Sequence, residues 1–388
     1  MEDLQKVIFH LYDNNILVLI FKNFNKMKNL KLYFLLLLIP LFASAQNRKE
    51  LSVIAYYMGD DKQIDQYDVS KLTHIIFSFC HLKDGKLSVD SAKDSITIKH
   101  LVSLKDKNPK LKIMLSLGGW GGCEPCSAVF SSAEKRLIFA KSVKEINSYF
   151  KCDGLDLDWE YPTIEGHPGH LYQTVDKENF TDLIVLLRKE LGTKNELSFA
   201  AGGFQKYLDA SVEWKKIMPL VDRVNIMSYD LVNGYSKVTG HHTPLFSTNA
   251  TEESTNKAVE YLLKLGIPAN KLVIGAAFYT RVWMEVANVN NGLYQSGVHT
   301  TGVDFKNYET TFTKEKGWNY YWDEKAKAPY WYNEKEKTFA TGDDVTSVKE
   351  KTSYAIRKKL GGIMFWELTL DKSKNGMVDA IDSVKKSK

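Results

Sequence analysis

Short apolar runs recur along the chain, and between them lie longer stretches whose apolar residues return every three to four positions. The runs fall at residues 51–57, 74–79, 111–117, 154–158, 197–201, 223–227, 272–277 and 362–365. Brief apolar runs bounded by turn-forming residues read as buried strands, whereas the helical period of segments 133–150, 177–191 and 254–265 reads as amphipathic helix. Strand and helix alternate, which predicts a parallel sheet with helices packed outside it. Eight such units close into a TIM-type (β/α)8 barrel, whose chemistry gathers at the C-terminal ends of the strands. An open doubly wound sheet is the competing arrangement, but no glycine-rich phosphate loop opens a helix after the first run. About 85 residues separate the last two runs, far more than one crossover helix needs. About 60 of them, within residues 282–345, are expected to form an inserted α+β lobe with Trp318, Tyr320, Tyr321, Trp322, Tyr330, Trp331 and Tyr332 as its core.

One run departs from the apolar pattern. It reads Asp153-Gly154-Leu155-Asp156-Leu157-Asp158-Trp159-Glu160-Tyr161-Pro162. Successive side chains of a strand point to opposite faces, so Asp156, Asp158 and Glu160 share one face, spaced by about 7 Å, while Leu155, Leu157 and Trp159 share the other. Carboxylates this close cannot all stay ionised, which raises at least one pKa and keeps a general acid protonated near neutral pH. An acidic strand end that faces water or a cation is the competing reading, and it gives no reason for apolar residues at period two.

The N-terminal pattern is different again. A basic start (Met27-Lys28-Asn29-Leu30-Lys31), an apolar stretch over 32–42 and Ala43-Ser44-Ala45 read as a secretory signal cleaved near Ala45/Gln46. The apolar stretch is too short to span a bilayer and no cysteine follows to carry a lipid, so no membrane anchor is expected. Residues 1–26 precede a complete signal and read as an extension or a misassigned start, which leaves 46–388 as the catalytic unit. Charge adds little: the chain carries +5, and removing residues 1–45 leaves +3, which is no footprint for nucleic acid. Of the four cysteines, Cys123 and Cys126 suit a small local disulfide after export, since zinc would need a second close pair, and Cys80 and Cys152 suit buried thiols.

The 153–162 stretch resembles the catalytic signature of family 18 glycoside hydrolases, the chitinases and their relatives: Asp-x-x-Asp-x-Asp-x-Glu with trailing Trp-Glu-Tyr-Pro. The resemblance implies Glu160 as acid and base, Asp158 orienting the substrate's acetamido group, Asp156 sharing a proton with Asp158, and Asp153 as support. Ser116-Leu117-Gly118-Gly119-Trp120 resembles the family's Ser-x-Gly-Gly, which implies that Ser116 supports the acids, Gly119 lets backbone near the sugar and Trp120 stacks on it. Met227-Ser228-Tyr229-Asp230 matches Met-x-Tyr-Asp, implying that Tyr229 and Asp230 hold the acetamido group. Trp366 matches the floor of the catalytic subsite and Tyr56 a tyrosine beneath that sugar, and Phe79, Tyr161, Met227 and Arg281 are implied as further sugar contacts. Three places depart from the family. Gly275-Ala276-Ala277-Phe278-Tyr279-Thr280-Arg281 lacks a proline and a glycine, Ala340-Thr341-Gly342-Asp343-Asp344 lacks a tyrosine, and Gly240-His241-His242-Thr243-Pro244-Leu245 has a second histidine, open to reading as a solvated loop residue or a ligand contact.

The family's mechanism is substrate-assisted, with the N-acetyl group as nucleophile and retention of configuration. Chitin or N-acetylglucosamine oligosaccharides are therefore the expected partners of a monomer needing no metal or cofactor. Two other functions stay in view: an endoglycosidase acting on the chitobiose core of N-glycans, and a chitinase-like lectin. The aromatic lobe favours the first expectation over the endoglycosidase, and the intact acids favour it over the lectin.

Overall fold

The computed structural model describes residues 50–248 and 253–387; the extension at 1–26, the leader at 27–45 and its cleavage position lie outside the described residues. Fourteen strands are found among the described residues: β1 (Ser52–Tyr57), β2 (His74–Lys83), β3 (Lys86–Ser88), β4 (Lys112–Gly118), β5 (Gly154–Asp158), β6 (Glu196–Gly202), β7 (Arg223–Met227), β8 (Leu272–Ala277), β9 (Thr280–Met284), β10 (Val298–Thr301), β11 (Trp318–Asp323), β12 (Ala328–Asn333), β13 (Thr338–Gly342) and β14 (Gly362–Trp366). Eight of them pair in parallel in the order β1-β14-β8-β7-β6-β5-β4-β2. Pairing of β1 with β2, from Ile54 opposite His74 to Tyr57 opposite Phe77, closes the ring into a (β/α)8 barrel. These are the eight apolar runs of the sequence. β2 extends past residue 79 because its end turns into a hairpin with β3.

Period two explains the two apolar layers. Leu155, Leu157 and Trp159 point outward from β5 and join Phe139 and Val143 of helix α1 (Ala133–Phe150) and Phe180, Leu183, Ile184 and Leu187 of α2 (Asp176–Leu191) in a layer between sheet and helices. Each such side chain, fully buried, stabilises the fold by roughly 1.5–3 kcal/mol. Ser132 caps α1 by accepting from the Lys135 N–H. Inward-pointing Ile54, Ile76, Met114, Ala200, Val273 and Met364 fill the barrel. The interior is packed rather than open, so ligand space exists only at the rim.

Between β8 and β14 the chain builds an antiparallel sheet in the order β10-β9-β13-β12-β11. Trp283, Tyr330, Tyr332 and Phe339 are buried in one of its apolar clusters, and Trp331 packs against Tyr308 and Phe312. The tyrosines and tryptophans of β11 do not share this burial: β11 is the sheet's edge, and Tyr320 remains 50% exposed. Helix α3 (Val345–Arg357) then leads into β14, opened by a reciprocal cap between Asp344 and Ser347. Cys123 and Cys126 are joined by a disulfide in the loop after β4, and Cys80 and Cys152 are buried thiols. Among the described residues no helix is long and apolar enough to cross a membrane.

Candidate active site

Asp156 lies wholly inside the barrel, level with Ser116 of β4 and Ser198 of β6. Its Oδ2 accepts from the hydroxyls of Tyr56 (2.8 Å) and Ser116 (3.2 Å), and its Oδ1 from Ser198 Oγ (2.6 Å) and Asn225 Nδ2 (3.0 Å). Burial pushes its carboxyl up, with the bonds from Ser198, Tyr56 and Ser116 opposing. Asp158, two residues nearer the rim, is also buried, and its Oδ1 has no hydrogen-bond partner. Burial first, then the charges of Glu160 and Asp156, hold Asp158 well above the usual carboxylate range. Glu160 is half-buried at the mouth. Burial raises its pKa to about 7, a hydrogen bond with Tyr161 opposing and the charge of Asp230 adding.

Asp153 stands at the other end of β5. Its carboxylate accepts from the Ile113 N–H at 2.7 Å and pairs with Lys105 and Lys112, so it ties β5 to its neighbours and does not reach the other acids. Tyr56 differs from expectation as well. It is 1% exposed, and its hydroxyl is spent on Asp156, so it acts on that acid from below and offers no face to a ligand.

Gly118 and Gly119 have φ of +109° and +81°, a region open to glycine. A Cβ on Gly118 would lie 2.2 Å from the Asp158 carbonyl oxygen, and one on Gly119 would lie 2.3 Å from the Phe79 ring. The two glycines thus make room for the acid strand and for Phe79, rather than for a ligand. Phe79 in turn stacks behind Trp366, ring centroids 5.5 Å apart and 20° between planes.

The end of β7 supplies the opposite wall. Asp230, at φ +54°, accepts from Tyr279 Oη (2.8 Å) and from Arg281 Nε and Nη2 (both 2.7 Å). Burial alone would raise its pKa, but the hydrogen bonds and charge of Arg281 outweigh it and hold Asp230 well below the usual carboxylate range. The Tyr229 hydroxyl finds only the Met364 sulfur, at 3.9 Å, which leaves it available to a ligand.

Glu160, Asp158, Tyr229, Asp230, Arg281, Met227, Tyr161, Phe79, Trp120 and Trp366 line one cleft of about 1310 Å3. Trp120, 47% exposed, meets His167, Tyr161 and Tyr235 at one end of it. An apolar wall beside converging acids suits a ligand with apolar faces and proton transfer to or from it. Sequence reasoning missed Ser198, Asn225 and Tyr279 as functional supports. A polar side chain at an inward position of an otherwise apolar run, as in Leu197-Ser198-Phe199 and Val224-Asn225-Ile226, was the available signal. Among the described residues no cluster of three or more His, Cys, Asp or Glu side chains is placed to hold a metal ion.

The profile of glycosyl hydrolases family 18 matches residues 52–371. Chitinase A1 of Niallia circulans is 37% identical over 301 residues, which cover 71% of this chain and 43% of that protein, so the chain spans less than half of its length. Mouse chitotriosidase-1 is 34% identical over 328 residues, 78% of this chain and 68% of that one. Among solved structures, a family 18 N-acetylglucosaminidase from Paenibacillus barengoltzii superposes with a TM-score of 0.79 at 34% identity, covering 86% of this chain and 99% of its own.

Proposed function

The chain belongs to glycosyl hydrolase family 18, and on that premise we propose that it is a chitinase that hydrolyses β-1,4 linkages between N-acetylglucosamine units with retention, the substrate's acetamido group acting as nucleophile. The observation that carries the reading is the graded row of acids on β5: Asp156 clamped by four donors, Asp158 held well above the usual carboxylate range by burial and its acidic neighbours, with an unpartnered oxygen, and Glu160 raised to about 7 at the cleft.

Glu160 gives its proton to the glycosidic oxygen as that bond breaks, and the acetamido carbonyl oxygen closes on C1. The resulting oxazolinium ion is positive. Asp158, once ionised, accepts from the acetamido N–H and stabilises that charge, while the Tyr229 hydroxyl donates to the carbonyl oxygen and Asp230, fixed by Arg281 and Tyr279, keeps that side of the acetamido group in line through the same turn. Water then attacks C1 with ionised Glu160 as base, which restores the acetamide and leaves a β-hydroxyl. Asp156, with a donor pair on each oxygen, acts on Asp158 through its charge, which helps to raise the Asp158 pKa. Asp153 has no part in the chemistry.

The test is time-resolved proton NMR of residues 46–388 acting on a tetramer or pentamer of β-1,4-linked N-acetylglucosamine. Initial products should be β-anomers; α-anomers would end the reading, and an inert substrate would turn attention to N-glycan cores or to binding alone. Release of N-acetylglucosamine monomer would match the N-acetylglucosaminidase activity named for the Paenibacillus relative. Trp366→Ala removes the apolar floor and is expected to raise KM about tenfold, the loss of about 1.4 kcal/mol of contact. A KM unchanged in steady-state assays would take Trp366 out of the subsite.

A further inference from the structure

The paired histidines are the departure that the proposed chemistry leaves unused. Both are fully buried, so neither is a solvated loop residue. His241 spends its Nε2 on Asp323 of β11, at 3.0 Å. His242 faces inward instead, onto Asp230. Its Nδ1 lies 3.2 Å from the Asp230 nitrogen, and its Nε2 lies 3.3 Å from the Tyr279 carbonyl oxygen. An amide N–H can only donate and a carbonyl can only accept, so Nε2 carries the hydrogen and Nδ1 the lone pair. That assigns a single neutral tautomer from the hydrogen-bond pattern.

The bond matters because Asp230 sits in the left-handed region, φ +54°, where a residue with a side chain needs outside support. His242 supplies two struts: its ring accepts from Asp230, and its carbonyl accepts from the Leu231 N–H at 3.0 Å. We propose that neutral His242 is a positioning residue that fixes the Tyr229–Asp230 turn, and that a proton on its Nδ1 releases this turn. The proposal rests on the reading of Asp230 as a holder of the acetamido group.

A proton on Nδ1 would point at the Asp230 N–H and deprive that amide of its acceptor. It would also draw the ring toward Asp230 Oδ1, 3.4 Å away, in competition with Arg281 and Tyr279. The other groups around the ring oppose none of this. Thr341 of β13 accepts from the His242 backbone N–H at 3.4 Å, and the next residue, Thr243, touches the Asp343–Lys351 pair, whose charges answer each other, as Asp323 answers His241. Asp230 is thus the carboxylate in direct reach of the imidazole.

The experiment measures kcat and KM on the tetramer across the acid and neutral range for the wild type, His242→Ala, His242→Asn and Asp230→Asn. His242→Ala is expected to lower kcat about tenfold with KM within about twofold, as for an interaction exerted in the transition state. His242→Asn, whose amide oxygen can accept from Asp230 but does not titrate, should regain part of that loss and show an acid limb with one ionisation fewer. Should the alanine variant not fold, the acid limb of the asparagine variant decides. Variants with the wild-type thermal transition whose kcat and acid limb superpose on the wild type would overturn the proposal. Asp230→Asn separates the two layers: if it loses turnover while both histidine variants match the wild type, only the role of His242 falls; if it keeps turnover, the reading of Asp230 falls first.

Discussion

Glu160→Gln should lower turnover by about 10²–10⁴-fold while oligosaccharide binding stays close to that of the wild type. Glutamine keeps the shape and the polar contact to Tyr161 but has no proton to give and no carboxylate to take one back. Trp366, Trp120 and the Asp230–Arg281 wall, which would hold the sugar, are untouched. The same substitution has a pH signature. Glu160 titrates near 7 because burial disfavours its charge, and the acid form is the working one in the first step. In the free enzyme kcat/KM should therefore fall as pH rises through about 7, and that basic limb should be absent from whatever activity remains in the variant. Calorimetric titration with the tetramer beside an initial-rate assay settles the matter: wild-type turnover, or loss of binding in step with turnover, would remove Glu160 from its role.

How much of this could be read before any coordinates varied with sequence distance. The eight barrel strands were legible because each is an apolar run whose burial on both faces leaves nothing else for it to be, and the acids of β5 because period two fixes their common face. Asp153, expected as support for the other acids, supports the strand itself. It precedes the strand, where its partners are the Ile113 amide and Lys105 rather than the cleft. The polar residues Ser198 and Asn225 stood out in their apolar runs, but their common partner did not, since Tyr56, Ser198 and Asn225 come from β1, β6 and β7 and meet at Asp156 only once register and closure are set. Tyr56 was read as a ligand contact on its match to a family tyrosine beneath the sugar. Its inward position and the unpaired demand of Asp156 claim its hydroxyl instead. His242 is the clearest case of local ambiguity: nothing in Gly240-His241-His242-Thr243 tells a surface loop from a strap buried beneath the lobe, because the burial is supplied by Asp230, Tyr279 and Thr341.

Lys351→Met should cost the fold about 3–5 kcal/mol, although the residue is far from the acids in sequence and touches none of them. Lys351 and Asp343 are both 0% exposed, with Nζ 2.6 Å from Asp343 Oδ2. Burial pushes the Lys351 pKa down while Asp343 pulls it back, the balance of a charge kept inside by its partner. Removing the ammonium leaves Asp343 as an uncompensated buried carboxylate, and methionine has nothing to offer it. Asp343 still has donors in the Ala277 N–H (2.9 Å) and Ser347 Oγ (2.7 Å), which is why partial retention of structure is expected. The melting temperature should drop on the order of 5–10 °C. Adding Asp343→Asn removes the stranded charge, keeps an acceptor for Ala277 and should recover a large part of the loss. A melting temperature within error of the wild type for Lys351→Met would mean that the pair carries no net stabilisation. The damage should also reach the cleft, because Thr243 accepts from Lys351, donates to the Ser228 carbonyl at 3.2 Å and lies next to His242. Ser228 in turn bridges β7 to β8 by accepting from the Gly275 N–H at 3.1 Å. One buried ion pair thereby supports the start of α3, the end of β8 and the turn that presents Tyr229 and Asp230. A destabilised Lys351→Met should lose turnover below its melting transition, with the double variant recovering stability and turnover together.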